Sequence, residues 1–225
     1  MFPLPILLIA VILVVLLPFL FGELMFASLN KLHLSPTAAF AGVIGIFLGS
    51  LINIPIKSVV RNRDVIDDPL AVYGLGGFWP QLRRVRRTTI IAVNVGGCLI
   101  PAALALYELG YLAVVGPYGL AVAAAGCVVN VIVCYLVARP IPGVGIAMPG
   151  LASPAVAVIL ALLLAPPDTA PPVAFVVGVA GPLVGADLLH LRNVETVGDV
   201  GVLSIGGAGT FDGIVLSGII AAYLA

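Results

Sequence analysis

Two aspartates, Asp187 and Asp212, stand inside stretches that otherwise read as membrane-spanning, "GPLVGADLLHL" and "GGAGTFDGIVLSG". A carboxylate at bilayer depth is costly to carry, so an intramembrane pair points first to chemistry. Two ionised carboxylates in a low-dielectric pocket repel, and one of them is expected to keep a proton at neutral pH. One charged and one neutral carboxyl group is what aspartyl hydrolysis needs. The carboxylate draws a proton from water while the acid donates to the carbonyl oxygen of the scissile amide. The structural alternative is that each aspartate caps a broken helix or bonds a neighbouring asparagine.

Other chemistries find less support in the residues. His190 follows Asp187 by three residues and shares its helix face, a spacing that could bind a metal. A full ligand set would need Glu195 or Asp199, because the only other histidine is His33. Interfacial packing is the simpler reading of His190, and no metal or other cofactor is expected. Two such histidines assemble no Ser-His-Asp or Cys-His constellation. Cys98, Cys127 and Cys134 all lie in apolar segments and read as small buried hydrophobes, not a disulfide framework.

The elements that position the aspartates follow from composition. The chain is 62% hydrophobic and 9% charged, against roughly 45–50% and 25% in soluble domains. With a mean hydropathy of +1.26, it reads as an integral membrane protein in which residues 1–225 form one domain. The lipid bilayer is its expected surrounding, and nucleic acid is not an expected partner. Seven spans are legible, at about 3–25, 36–56, 88–108, 118–138, 151–166, 172–191 and 208–224. The first lacks a basic n-region and a clear cleavage site, so it is expected to be retained. Spans in lipid satisfy their backbone groups internally, which predicts an all-α polytopic bundle.

Basic residues orient that bundle. The segment 57–87 holds seven of the ten, with an RRVRR run, and reads as a solvated cytoplasmic connector. Contact of its basic residues with anionic headgroups is the functional alternative. Placing it inside also puts Arg139 and Arg192 inside and leaves only Lys31 outside. The N-terminus is then cytoplasmic and the C-terminus external, in a prokaryotic-looking cell membrane.

Within that frame the polar residues of the spans fall at similar depth. Asn53 precedes Lys57 by four residues, Asn94 follows Arg87 by seven, and Asn130 precedes Arg139 by nine. Asp187 precedes Arg192 by five, and Asp212 precedes Ala225 by thirteen, or about 20 Å of helix. Five helices thus offer polar groups to one site in the cytoplasmic half. Gly185 and Gly209 keep the surroundings of the aspartates small, for a substrate backbone or for a packed helix. The stretch "VETVGDVGVLSI" is too polar and Gly-rich to span. It is expected to be a loop, or an extended segment whose edge pairs with a substrate strand.

The segments "SLINIPI", "IAVNVGGCLIP", "GPLVGADLLHL" and "SIGGAGTFDGI" resemble domain-of-unknown-function family 1614, prokaryotic multi-pass membrane proteins, from residue 36 onward. That resemblance implies no established activity. Shorter motifs resemble the GxGD intramembrane aspartyl proteases: presenilin, signal peptide peptidase and the prepilin peptidases. Phe211-Asp212 is similar to their tyrosine–aspartate motif, and Gly185-Ala186-Asp187 to a truncated GxGD, in exchanged order. Pro149-Gly150-Leu151 is similar to the Pro-Ala-Leu turn of presenilin. This resemblance implies Asp187 and Asp212 as a catalytic pair acting on a membrane-protein or peptide substrate.

Two function classes follow, beside a role in assembly or as a scaffold. One is the intramembrane aspartyl hydrolase. The other is an ion- or proton-coupled small-solute transporter in which Asn53, Asn94, Asn130 and the acids line a broken-helix pathway. Depth separates them, since transport sites usually sit near the midplane and this cluster is expected toward the cytoplasm.

Overall fold

The computed structural model describes residues 4–67, 81–141, 145–191 and 201–225, with side chains described from residue 16 onward except at 60–67 and 81–87. Seven helices occur among these residues. The first, α1 (Leu4–Asn30), is followed by α2 (Pro36–Gly49). Ser35 sets the start of α2: its hydroxyl accepts from the Ala38 N–H at 3.2 Å, and Pro36 occupies the first turn, where its missing N–H costs nothing.

After α2 the chain departs from the all-α expectation. Strand β1 (Asn53–Asp67) pairs antiparallel with β2 (Gln81–Asn94), from Asn53 opposite Asn94 to Asp67 opposite Gln81. The spans expected at 36–56 and 88–108 are therefore cut short: α2 ends at Gly49, and residues 88–94 are strand. So is most of the expected 57–87 connector. The cause is legible in the β-branched residues Val59, Val60, Val65, Ile66, Thr88, Thr89, Ile90, Ile91 and Val93, which crowd a helix but suit a pleated strand. Pro55, which cannot donate to the ladder, sits where the register shifts between Pro55 and Lys57.

A π-helical turn, Val95–Leu99, leads from β2 into α3 (Ile100–Val115), and α4 (Pro117–Val137) follows after Gly116. Two three-residue strands, β3 (Arg139–Ile141) and β4 (Gly145–Ala147), form a small antiparallel hairpin before α5 (Ala152–Leu164). Then α6 (Ala170–Ala180) runs on as a π-helical segment, Gly181–Leu188. Strand β5 (Val202–Ile205) joins β2 in parallel and completes a sheet of order β1-β2-β5. A 3₁₀ turn (Gly209–Phe211) enters α7 (Gly213–Leu224). Of the two readings of 194–205, the extended one therefore holds for 202–205; residues 192–200, with Arg192, Glu195 and Asp199, lie outside the described residues.

Three continuous helical segments, Val95–Val115, Pro117–Val137 and Ala170–Leu188, are long and apolar enough to cross a membrane. With the shorter apolar helices around them, they suggest a membrane protein. The bundle closes around α6, whose residues from Val173 to Val179 are all buried. Close approach is bought with small residues: a Cβ at Gly178 would lie 2.8 Å from the Ser217 carbonyl of α7, and one at Gly126 2.7 Å from Val177.

A buried polar knot sits in the same region. Pro182 has no N–H to give the Gly178 carbonyl, and the Ser153 hydroxyl donates to that carbonyl at 3.3 Å. Asn130 donates to the Ser153 oxygen at 2.9 Å and to the Val177 carbonyl at 2.8 Å, and Ser217 lies 2.6 Å from Ser153.

The two ends of the bundle differ. At one, Lys31 donates to the Tyr223 carbonyl, so the end of α1 meets the end of α7. Nearby, the fully buried Glu108 accepts from the His33 N–H at 3.3 Å and faces the His33 ring at 3.6 Å. The other end gathers the C-terminus of α2, the start of the π-turn before α3, the end of α6 and the start of α7. Both aspartates lie there.

Candidate active site

Gly97 and Gly206 build the floor of the site by touching backbone to backbone. A Cβ on Gly97 would overlap the Gly206 carbonyl, and one on Gly206 would come within 2.6 Å of the Gly97 carbonyl carbon. Gly206 also has φ +69°, a left-handed conformation that side chains disfavour. The π-turn brings Gly97 to this contact because Asn94 caps it, accepting from the Gly97 N–H at 2.7 Å. Gly209, with φ +63°, completes the turn, and a Cβ there would lie 2.6 Å from Ser50.

This turn holds both aspartates. The Gly206 N–H donates to Asp187 Oδ2 at 3.1 Å, and the Ala208 N–H donates to Asp212 Oδ2 at 3.2 Å. Amide nitrogens two residues apart lie within about 7 Å of each other, so one short turn anchors the two carboxyl groups. Asp212 also caps α7, its Oδ1 accepting from the Ile214 N–H at 3.0 Å. Capping, the structural alternative, thus describes part of what Asp212 does. Asp187 caps nothing: it projects from the π-helical segment, and Oδ1 has no hydrogen-bond partner among the described residues.

Both carboxyl groups line a cleft of about 480 Å³, together with Asn53, Gly145, Ile146, Leu191 and residues 202–205. Asn53 begins β1 and Ser204 belongs to β5, so the sheet supplies one wall. The Ser204 hydroxyl donates to Asn53 Oδ1 at 2.6 Å, and Asn94 Nδ2 donates to the same oxygen at 3.2 Å and to the Ser50 carbonyl at 2.8 Å. Asn94 is fully buried and stands one hydrogen bond behind the cleft.

The remaining residues singled out in the sequence are placed as follows. Asn53 and Asn94 are strand ends and not helix residues, so the expectation of five helices each offering a polar group is corrected. Asn130 belongs to the buried knot on α4, away from the cleft. Gly185 packs against α4, where a Cβ would overlap the Val131 carbonyl. Phe211 turns outward and its ring meets Phe21 of α1 at 5.2 Å. Pro149, Gly150 and Leu151 are exposed just beyond β4, whose Gly145 and Ile146 line the cleft in their place. His190 lies with Nδ1 3.2 Å and 3.0 Å from the Gly185 and Ala186 carbonyls and its ring 4.9 Å from Tyr135. Ser204 and the amides of Gly206 and Ala208 were not legible as site groups. The one signal for them was the "SIGGAG" run, whose glycines permit the turn.

A direct consequence concerns that turn. Gly206→Ala must shift the backbone away from Gly97 and leave its left-handed conformation, which moves the amide that holds Asp187. It is expected to cost about 1–3 kcal/mol in strain and to lower the thermal midpoint measurably. Gly201→Ala, with open space around its Cβ, should leave the midpoint within a degree or two.

No curated protein and no solved structure matches this chain. A family model does: it covers residues 47–224, which takes in both aspartates, the sheet and every helix from α3 onward. On that match, the chain belongs to the family described as "Protein of unknown function (DUF1614)".

Proposed function

We propose that this protein is a multi-pass protein of the cell membrane and an intramembrane aspartyl hydrolase with Asp187 and Asp212 as its catalytic pair. One observation carries the reading. Two carboxyl groups from the end of α6 and the start of α7 line one cleft and hang from one three-residue turn. In the reaction, one carboxylate takes a proton from water as the oxygen attacks the amide carbon, and the other carboxyl protonates the carbonyl oxygen. Collapse then expels the amine, which leaves with a proton, and the products are an acid and an amine.

A peptide substrate would lie extended beside β5. Among the described residues that strand pairs with β2 alone, and all four of its residues line the cleft. Backbone addition to its outer edge would carry an amide past the carboxyl groups, with the β4 residues Gly145 and Ile146 opposite. The test is cleavage of reconstituted single-span membrane proteins, with fragments read by mass spectrometry for the protein and its Asp→Asn variants.

The second reading, an ion- or proton-coupled transporter, draws on the interrupted helices. The π-turn capped by Asn94, the π-helical Gly181–Leu188 and the 12-residue α7 are the kind of breaks that line a solute path. Proteoliposome exchange of a solute with no fragment formation would favour it.

Either activity assumes seven crossings with the cleft toward the cytoplasm, supported by nine of ten basic residues lying on that side. In a chain whose three native cysteines are replaced by alanine, a cysteine at Arg84 should react with an impermeant maleimide only from the cytoplasmic face. One at Thr169 should react only from outside. Reversed labelling of both would overturn the orientation.

A further inference from the structure

An open groove of about 550 Å³ runs between α1 and α2, lined by Pro18, Phe19, Gly22, Glu23 and Phe26 on one side and Phe40, Val43, Ile44 and Phe47 on the other. Each side is a stripe about two helical turns long, which is the footprint of a third helix laid along the pair. Among these apolar residues stands one carboxylate. Glu23 is exposed, has no ion-pair partner among the described residues, and lies seven residues before the end of α1, or about 10 Å into the helix. That end carries Lys31 and the exposed Tyr107, Tyr118 and Tyr223, a basic and aromatic set that marks a membrane interface. A bare carboxylate at this depth is costly, and a cation placed opposite it removes the cost.

The geometry points to a docking site for the transmembrane helix of a partner protein, one carrying a lysine or arginine at the depth of Glu23. A lipid chain would fill the groove but gains nothing from a carboxylate, and a headgroup amine lies too shallow to reach it. A second copy of this chain fails as well. The nine basic residues among the described residues all lie outside the helices, so no described helix of a second copy offers the cation. Phe21 of α1, next in sequence to the groove residue Gly22, meets Phe211, next in sequence to Asp212, at 5.2 Å. On the hydrolase reading proposed above, the docked helix is therefore the substrate's, held while its extended end reaches β5. The substrates would be membrane proteins with a basic residue buried about two turns from one end of the span.

Binding is measured without cleavage, which separates this inference from the hydrolase reading. A photoreactive side chain is placed at Phe40, and the protein is reconstituted in phosphatidylcholine–phosphatidylglycerol vesicles with a single-span leucine–alanine peptide. The peptide carries one lysine about two turns from its end. Crosslinking is expected at least tenfold above that of the same peptide with leucine at that position. Glu23→Gln should bring it down to the leucine level, and Glu23→Lys should recover it with a glutamate-bearing peptide. The inference fails if the lysine and leucine peptides crosslink equally. Indifference to Glu23→Gln, no recovery in the charge-swapped pair, or products that are only lipid or a second copy of this chain would each overturn it too.

Discussion

Asp212→Asn is expected to remove cleavage by a factor of about 10³ or more while changing stability by no more than about 1 kcal/mol. The loss follows from the chemistry, since an amide can neither accept the proton of the attacking water nor donate to the carbonyl oxygen, and each such transfer is worth about 10²–10⁴-fold. The retained stability follows from the local structure. Asparagine is as good a helix N-cap as aspartate, so its one side-chain oxygen keeps the bond from the Ile214 N–H on α7, while the exposed Ala208 N–H loses its acceptor and turns to solvent. Asp187→Asn should behave alike, because its oxygen can still accept from the Gly206 N–H. Asp212→Ala should differ, losing activity together with about 1 kcal/mol of cap. Fragment yield set beside thermal midpoint for the three variants reads both halves of this expectation. A pathway coupled to ion movement gives another pattern: one of the two asparagine variants keeps solute exchange, because a single acid can carry a proton. Full cleavage by Asp212→Asn would end the hydrolase reading.

How much of this was legible beforehand differs between the helices and the sheet. The apolar runs that became α4, α5 and α6 were read from hydropathy alone, because lipid leaves such a run few other conformations, whereas the span expected at 88–108 meets α3 only at 100–108. The same rule misled at 53–56 and 88–94. "NIPI" and "TTIIAVN" are apolar enough to look like the margins of spans, yet their β-branched residues pair across the hairpin instead. Hydropathy measures where a residue prefers to be and not which backbone it adopts, and a strand whose ladder is satisfied by a neighbour escapes the constraint that drives helix formation. Asp187 and Asp212 were legible because a carboxylate in an apolar run is conspicuous. Ser204 was not, since a lone serine in "VLSIGG" carries no such contrast, and its role depends on β5 lying beside β2. The backbone amides of Gly206 and Ala208 have no sequence signature beyond the glycines that let the turn form. Asn130 was conspicuous for the same reason as the aspartates but serves the packing of α4 against α5 and α6, because depth alone does not say which way a side chain faces across a bundle.

Asn94→Leu is expected to have the largest effect on folding of any change near the cleft. The side chain is fully buried and makes three hydrogen bonds: from the Gly97 N–H at 2.7 Å, to the Ser50 carbonyl at 2.8 Å and to Asn53 Oδ1 at 3.2 Å. Leucine is of similar size but returns none of them. Each buried group left unpaired costs about 1–3 kcal/mol, so the sum is a large part of the 5–15 kcal/mol by which a domain is typically stable. The Asn53 oxygen is the least affected, because Ser204 still donates to it. The Gly97 amide is the most affected: its cap fixes the π-turn, the π-turn seats Gly97 on Gly206, and Gly206 holds Asp187. Activity should therefore fall even in the fraction that remains folded. Asn53→Ala provides the contrast, since Asn53 sits exposed at the cleft rim, the Ser204 hydroxyl is left to solvent, and the buried Asn94 amide keeps its bond to the Ser50 carbonyl; a shift below about 1 kcal/mol is expected there. Unfolding midpoints of the two variants in the same detergent, followed by activity per folded molecule, test the chain of contacts. An Asn94→Leu protein that melts with the unmodified one would show that the π-turn stands without its cap, and Asp187 would then need another explanation for its position.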